Sequence, residues 1–420
     1  MSRKPGMRAL AGAAWLVVLT LPAGPVRAQA TEPVSPDNRP AAIASSSGRC
    51  GVCHPRERVA FEQSEHSRED VRCVSCHGGD DGSLDKAVAH GRGFTALGNR
   101  AAIPALCGSC HASLERMRAY NLPVDQLALY QTSAHGLRLK GGDTRVAVCS
   151  DCHGAHDILP PSDPASRVYV TNIPRTCGQC HGDSTLVRQR HIPDVYRQYL
   201  SSTHARELLE RGNLRAPTCV SCHGVHGATP PRTGDVNKVC GQCHTSDRRY
   251  FLAGAHRDAM AAQNITECAS CHGDHAVSAA DPGRLGQVCA QCHDDAGHEA
   301  KLGAQLLADY RTAAEEVRKA DELIARADQV PIQTDDYKAR LEEARTYLRE
   351  ALTATHSVQP ELVAGFTLRA RSVGSEIQSE IIDKLGNIRT AKLLLILFWF
   401  YVLVTAGILR RIRNRRPPAR

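Results

Sequence analysis

Residues 177–226 read CGQCHGDSTLVRQRHIPDVYRQYLSSTHARELLERGNLRAPTCVSCHGVH. Two Cys-x-x-Cys-His units bracket the stretch, Cys177-Gly-Gln-Cys180-His181 and Cys219-Val-Ser-Cys222-His223. Between them Tyr199 stands five positions before His204, and after the second unit His226 follows in the pattern Cys-His-Gly-x-His. The arrangement recurs on both sides. Upstream, Cys50, Cys53 and His54 pair with Cys73, Cys76 and His77, and Cys107, Cys110 and His111 pair with Cys149, Cys152 and His153. Downstream, Cys240, Cys243 and His244 pair with Cys268, Cys271 and His272. A ninth unit, Cys289, Cys292 and His293, opens a fifth pair that is not completed. The pair starts lie 57, 70, 63 and 49 residues apart, so the region is a string of repeats. All 18 cysteines are used.

Cys-x-x-Cys-His is the attachment signature of c-type haem. Two thiols one helical turn apart reach the two vinyl groups of one porphyrin, and the next histidine lies under the iron as proximal ligand. Zinc ribbons also pair cysteines but do not require that histidine. Disulfides would not select one uniform spacing. The expectation is nine covalent haem c groups, each carrying iron, with His54, His77, His111, His153, His181, His223, His244, His272 and His293 as proximal ligands. Aromatic residues are only 4% of the 420-residue chain, and tightly spaced porphyrins would fill the apolar interior instead.

The repeat also nominates second ligands. An aromatic residue precedes a histidine by five in Phe61/His66, Tyr130/His135, Tyr199/His204 and Phe251/His256. The Cys-His-Gly-x-His pattern adds His156, His226 and His275, each too close to its own proximal ligand to reach the opposite face of the same porphyrin. The first pair reads Cys-His-Gly-Gly-Asp, with His90 as substitute, and His298, five residues past His293, brings the set to nine. His191, which aligns with Asn121 of the preceding repeat, and His356, in a distant helical segment, are further candidates outside the pattern. Met117 and Met260 read as packing residues. Mostly bis-histidine ligation implies low-spin, low-potential haems without an open iron position.

The formal charge of +8 sits at the ends: residues 1–30 carry +4 and residues 410–420 carry +6, leaving −2 for the rest. That distribution excludes nucleic acid as a partner. Residues 1–30 read as a secretory signal, with Arg3, Lys4 and Arg8, an apolar run from Ala9 to Leu21, and Ala28-Gln29-Ala30 as cleavage site. Residues 31–48 read as a flexible leader and 49–298 as the haem domain. The 299–389 segment reads as a helical hairpin or three-helix neck, with apolar stripes through Leu302, Leu306, Tyr310, Val317 and Ile324, then Tyr337, Leu341, Ala344, Leu348 and Leu352, then Val373, Ile377, Ile381 and Leu385. These stripes suit an intramolecular core or a coiled-coil partner. Leu393–Leu409 is free of charge and about 26 Å long as a helix, which suits a transmembrane helix over 390–412. The arginines that follow orient it with a basic tail, 413–420, in the cytoplasm. The expected fold is mainly α with extensive irregular loops.

The run of Cys-x-x-Cys-His units with interleaved [Phe/Tyr]-x-x-[Ser/Gly]-x-His and Cys-His-Gly-x-His resembles the multihaem c-type cytochromes of bacterial respiration. The resemblance covers residues 50 to about 298. It implies a bacterial inner-membrane protein with its haem domain in the periplasm, passing electrons between a quinol-linked membrane donor and a periplasmic or outer acceptor. The implied membrane partner is a cytochrome b-like or quinol-oxidising subunit. The arrangement also looks similar to the quinol-dehydrogenase cytochromes of nitrate and nitrite respiration, which carry an N-terminal anchor and fewer haems. The alternative is a multihaem reductase or oxidoreductase of nitrogen or sulfur oxyanions, resembling the octahaem enzymes. It requires one open haem, with His191 or Tyr196 as proton donor; the sequence holds no Cys-x-x-Cys-Lys variant and nominates no catalytic residue.

Overall fold

The computed structural model describes residues 47–279, 281–294 and 297–414. The expected signal, the leader up to residue 46 and residues 415–420 of the basic tail lie outside them. Among the described residues the chain is helical without strands: short helices joined by irregular loops between Cys50 and Cys289, then three long helices.

Two local designs build the short helices. The second unit of each pair is a five- or six-residue helix ending on its motif histidine: Cys73–His77, Cys149–His153, Cys219–His223 and Glu267–His272. In three of these the residue before the first cysteine donates its N–H to the side chain three positions on: Arg72 to Ser75 at 3.1 Å, Val148 to Asp151 at 2.7 Å, Thr218 to Ser221 at 3.0 Å. That bond closes the helix start, where donors otherwise lack partners. Each helix stops on a glycine at positive φ, Gly78 (65°), Gly154 (88°), Gly224 (86°) and Gly273 (81°). This backbone disfavours a Cβ, so the glycine turns the chain away directly after the histidine. The first units of the second and third pairs instead end the nine-residue helices Ile103–His111 and Ile173–His181, started by Pro104 and Pro174, where a missing N–H costs nothing.

The long helices are α1 (His298–Ala327), α2 (Asp335–Ala354) and α3 (Pro360–Asn414). At 1.5 Å per residue, α1 runs about 45 Å away from the haem region. Helix α2 returns, the tight turn Thr355–Ser357 reverses the chain, and α3 runs outward again. Val317, Ile324, Tyr337, Leu341, Ile377 and Ile381 bury together with Ala313, Ala320, Ala327, Ala344 and Ala370. Leu306, Ala351, Ala354 and Val363 form a second cluster nearer the haem region. The apolar stripes therefore meet one another within the chain. Alanine lines much of the seam, which lets the helices approach closely. At Gly374 a Cβ would lie 3.2 Å from the backbone of Glu316.

Beyond this bundle α3 continues unbroken through the charge-free stretch, whose large side chains are mostly exposed. It is the one helix among the described residues long and apolar enough to be a candidate membrane span. Neck and span share one helix, so no break marks residues 389–390.

Candidate haem-binding chain

Nine pairs of imidazole rings face one another with centroids 5.9–6.4 Å apart. They are His54–His90, His77–His156, His111–His66, His153–His226, His181–His135, His223–His275, His244–His204, His272–His356 and His293–His256. Each joins one motif histidine to one histidine from elsewhere. A histidine nitrogen about 2.0 Å from a metal on either side, with each ring centre roughly 1.1 Å further back, puts the two centres about 6.2 Å apart. The separations therefore fit one iron between each pair, and the cysteines of each motif would carry its porphyrin. Among the described residues no three His, Cys, Asp or Glu side chains gather around a single metal-ion position.

The pairs fall into two classes of ring geometry. For the second unit of each pair the rings are nearly parallel, at 24°, 15°, 9° and 24° (His77, His153, His223 and His272). For His54, His111, His181, His244 and His293 they are inclined by 41–61°. The facing ring comes from a different stretch in each class. His156 faces His77, not its neighbour His153, and His226 and His275 likewise reach back to His153 and His223. His66, His135, His204 and His256 each reach forward to the first unit of the next pair.

Buried serines set the forward-reaching histidines. Ser64, Ser133 and Ser202, two residues before His66, His135 and His204, are fully buried and cap the following turn by accepting from Ser67, Gly136 and Ala205 N–H. The Ser64 and Ser133 hydroxyls donate in turn to the Phe61 and Tyr130 carbonyls, both at 2.7 Å. The repeated aromatic does more than pack: Tyr130 donates to the Ala147 carbonyl and Tyr199 to the Pro217 carbonyl, each at 2.9 Å and each two residues before a motif cysteine. Backbone bonds interlock the pairs, from Glu65 to Ile158, Ala134 to Ala228 and Thr203 to Val277. In all three the acceptor lies two residues past the reaching-back histidine.

Nδ1 is tied down on several rings, leaving Nε2 for a metal. His77 and His223 hold the Thr95 and Thr229 carbonyls at 3.3 and 3.2 Å. Burial lowers the pKa of His66, His111, His135, His153, His181 and His272, which favours the neutral imidazole that binds metal. Asp247 has the opposite effect on His244 and raises its pKa.

The motifs lie in single file. Within pairs, Cys50 meets Cys73, Cys107 meets Cys149, Cys177 meets Cys219 and Cys240 meets Cys268, thiol to thiol. Burial and the Cys50 contact push the Cys73 thiol up to about 11. Between pairs, Cys76 lies near Cys107 and Cys110, Cys152 near Cys180, Cys222 near Cys240, and Cys271 near Cys292. Each motif thus adjoins the next from first to ninth.

Two histidines of the twenty take no part in the facing pairs. The repeat nominates His298 as a ligand, but it is the first residue of α1, and the ring opposite His272 is that of His356. The reason is tertiary: α2 carries His356 back to the haem region from about 60 residues further on. His191 has a left-handed backbone (φ 51°), like Asn121 (52°), and ends a helix as Asn121 ends its own turn. Tyr196 packs its ring on Gly178 and Gly182, which explains its presence without proton transfer. Met117 is buried.

Residues 212–249 match a family described as a doubled CXXCH motif. The match spans Cys219–His223 and Cys240–His244, and it marks the motif of a multihaem c-type cytochrome with covalently bound haem c, a group of electron transport. No curated protein and no solved structure matches the chain.

Proposed function

We propose that the chain carries nine haem c groups, each between two histidines, and conducts electrons along them in motif order. The observation that carries this reading is the nine facing pairs, each uniting a motif histidine with a second imidazole at a spacing that suits one iron. When bound, haem supplies an iron that gains or loses one electron without making or breaking a bond to a substrate. The chain's own contribution is to fix the imidazoles and hold neighbouring motifs in contact.

In this reading the first 30 residues export the haem region to the periplasm of a bacterial cell, and α3 anchors it in the inner membrane with the arginines inside. Electrons arrive from a quinol-linked membrane partner, such as a cytochrome b-like subunit, and leave to a periplasmic or outer acceptor. The pairing favours conduction over oxyanion chemistry, because every motif histidine has an imidazole opposite it.

Mass spectrometry of the exported protein counts the haems, and electron paramagnetic resonance of the oxidised form reports their ligation. Nine haems, all low-spin, are expected. A wild-type high-spin haem that binds added cyanide or nitrite would overturn the reading and favour a catalytic site.

A further inference from the structure

We propose that the neck bundle completes the eighth haem site, His356 being the second axial ligand opposite His272. The proposal rests on the bis-histidine reading above. Its rings are 6.0 Å apart and inclined by 24°, which puts the pair in the near-parallel class of His77, His153 and His223. The His356 Nδ1 lies 2.9 Å from the Thr353 carbonyl, so Nε2 is the nitrogen free for iron.

The repeat explains why a ligand has to come from the neck. In the first three pairs, the second unit takes its facing histidine from the Cys-His-Gly-x-His of the next pair. The fifth pair lacks its second unit, so the fourth has no such source. The turn Thr355–Ser357 fills the gap. The haem region is shaped to receive it: where the other pairs bury Ser64, Ser133 or Ser202, the fourth has Gly254. A Cβ there would stand 2.7 Å from the Ser357 carbonyl oxygen and 3.0 Å from that of His356. The seat is reinforced by Gln359 Nε2 donating to the Ala253 carbonyl at 3.3 Å. Asp247 lies 3.6 Å from His356 Nδ1 and 3.5 Å from His244 Nδ1, between two ligands of adjacent haems. The bundle is therefore a working part of the haem chain as well as a support.

The test uses the full-length, haem-loaded protein with His356→Ala, His356→Met and His298→Ala, read by paramagnetic resonance and optical spectra. One haem in nine should become high-spin in H356A and return to low-spin on adding imidazole. H356M should keep the turn seated and give one methionine-ligated haem of raised potential, which guards against a variant that merely misfolds. H298A should stay low-spin. A high-spin haem in H298A, or H356A and H356M spectra identical to wild type, overturns the proposal. A wild-type protein that is not fully low-spin counts against the bis-histidine reading itself, so the two failures are distinguishable.

The length of α3 carries a second inference. From Pro360, beside the His356 turn, to Leu393 it runs 33 residues in one helix, about 50 Å. Its first part is braced by α1 and α2 as far as Ile381 and Leu385. The ninth motif lies at the same end of the bundle, where a Cβ on Gly303 of α1 would stand 3.1 Å from the Cys289 sulfur. With residues 393–409 in the bilayer, we infer that this end of the haem chain stands tens of ångströms above the lipid, too far for direct electron transfer from a quinol in the membrane. It meets instead a partner protein whose own redox centre rises to that height. Cryo-electron microscopy of the full chain in lipid nanodiscs should put the irons of the eighth and ninth motifs about 40 Å from the headgroups, given the helix rise. Either of these two irons close to the headgroups, or rapid haem reduction by a quinol in nanodiscs holding this chain alone, would overturn it. A chain that does not enter nanodiscs would contradict the membrane span instead.

Discussion

Gly254→Ser restores to the fourth pair the residue that the other pairs use, and it should damage the protein. The new Cβ would stand 2.7 and 3.0 Å from the carbonyl oxygens of Ser357 and His356. Both are backbone atoms of a tight turn braced by α2 and α3, so neither can swing aside as a side-chain tip could. Overpacking of this kind costs about 1–3 kcal/mol. If the strain is relieved when the turn lifts away, it favours the lifted state by about 5- to 150-fold. Coordination by His356 would hold most molecules low-spin. The sensitive assay is therefore competition: the apparent affinity of added imidazole or cyanide for one haem should rise by that factor. Amide exchange of residues 355–358 should accelerate in parallel. Unchanged ligand affinity together with unchanged exchange would refute the claim that this glycine exists to seat the neck turn.

Ile377 is fully buried in the bundle, so Ile377→Ala should cost about 2–5 kcal/mol; calorimetry should register an earlier neck transition with the haem count unaltered. Tyr199→Phe removes the bond to the Pro217 carbonyl, 2.9 Å in the native chain, and should lower haem-region stability by about 0.5–1.5 kcal/mol; denaturant titration should show the fall while the haem-ligation spectra stay as in the native protein. The Arg190 guanidinium, 2.5 Å from Asp143, holds that carboxyl below its ordinary value. Its contribution is thus complete above the unfolded carboxylate pKa of about 3.9 and disappears as pH falls through the lower folded value. Asp143→Asn should accordingly flatten that acid-side dependence, measured as denaturation midpoint against pH.

The helical class is legible from local pattern, because an apolar stripe at helical spacing needs a partner face and the neck supplies three. The alanine seam is less legible, since Ala313, Ala320, Ala344 and Ala370 carry little hydrophobic signal and act by letting backbones approach. Tyr130 and Tyr199 stand out by their recurrence, but recurrence does not reveal that their hydroxyls reach the carbonyls before the next motif. His191 could be matched to Asn121 by alignment. The left-handed turn that both adopt is a backbone property seen only once the chain is folded.

The sequence by itself determines the sets of two thiols and a histidine that could attach haem c, because five consecutive residues occupy little more than one helical turn and need nothing distant to come together. It also determines that residues 393–409 form a charge-free stretch long enough to be a candidate membrane span. Only the tertiary structure decides which imidazole stands opposite each motif histidine. Two ligands on opposite faces of one porphyrin cannot come from one turn of chain, so the second must arrive from another segment, and sequence distance does not measure that approach. His298 lies five residues from a motif and faces none, whereas His356 lies 84 residues beyond His272 and faces it at 6.0 Å.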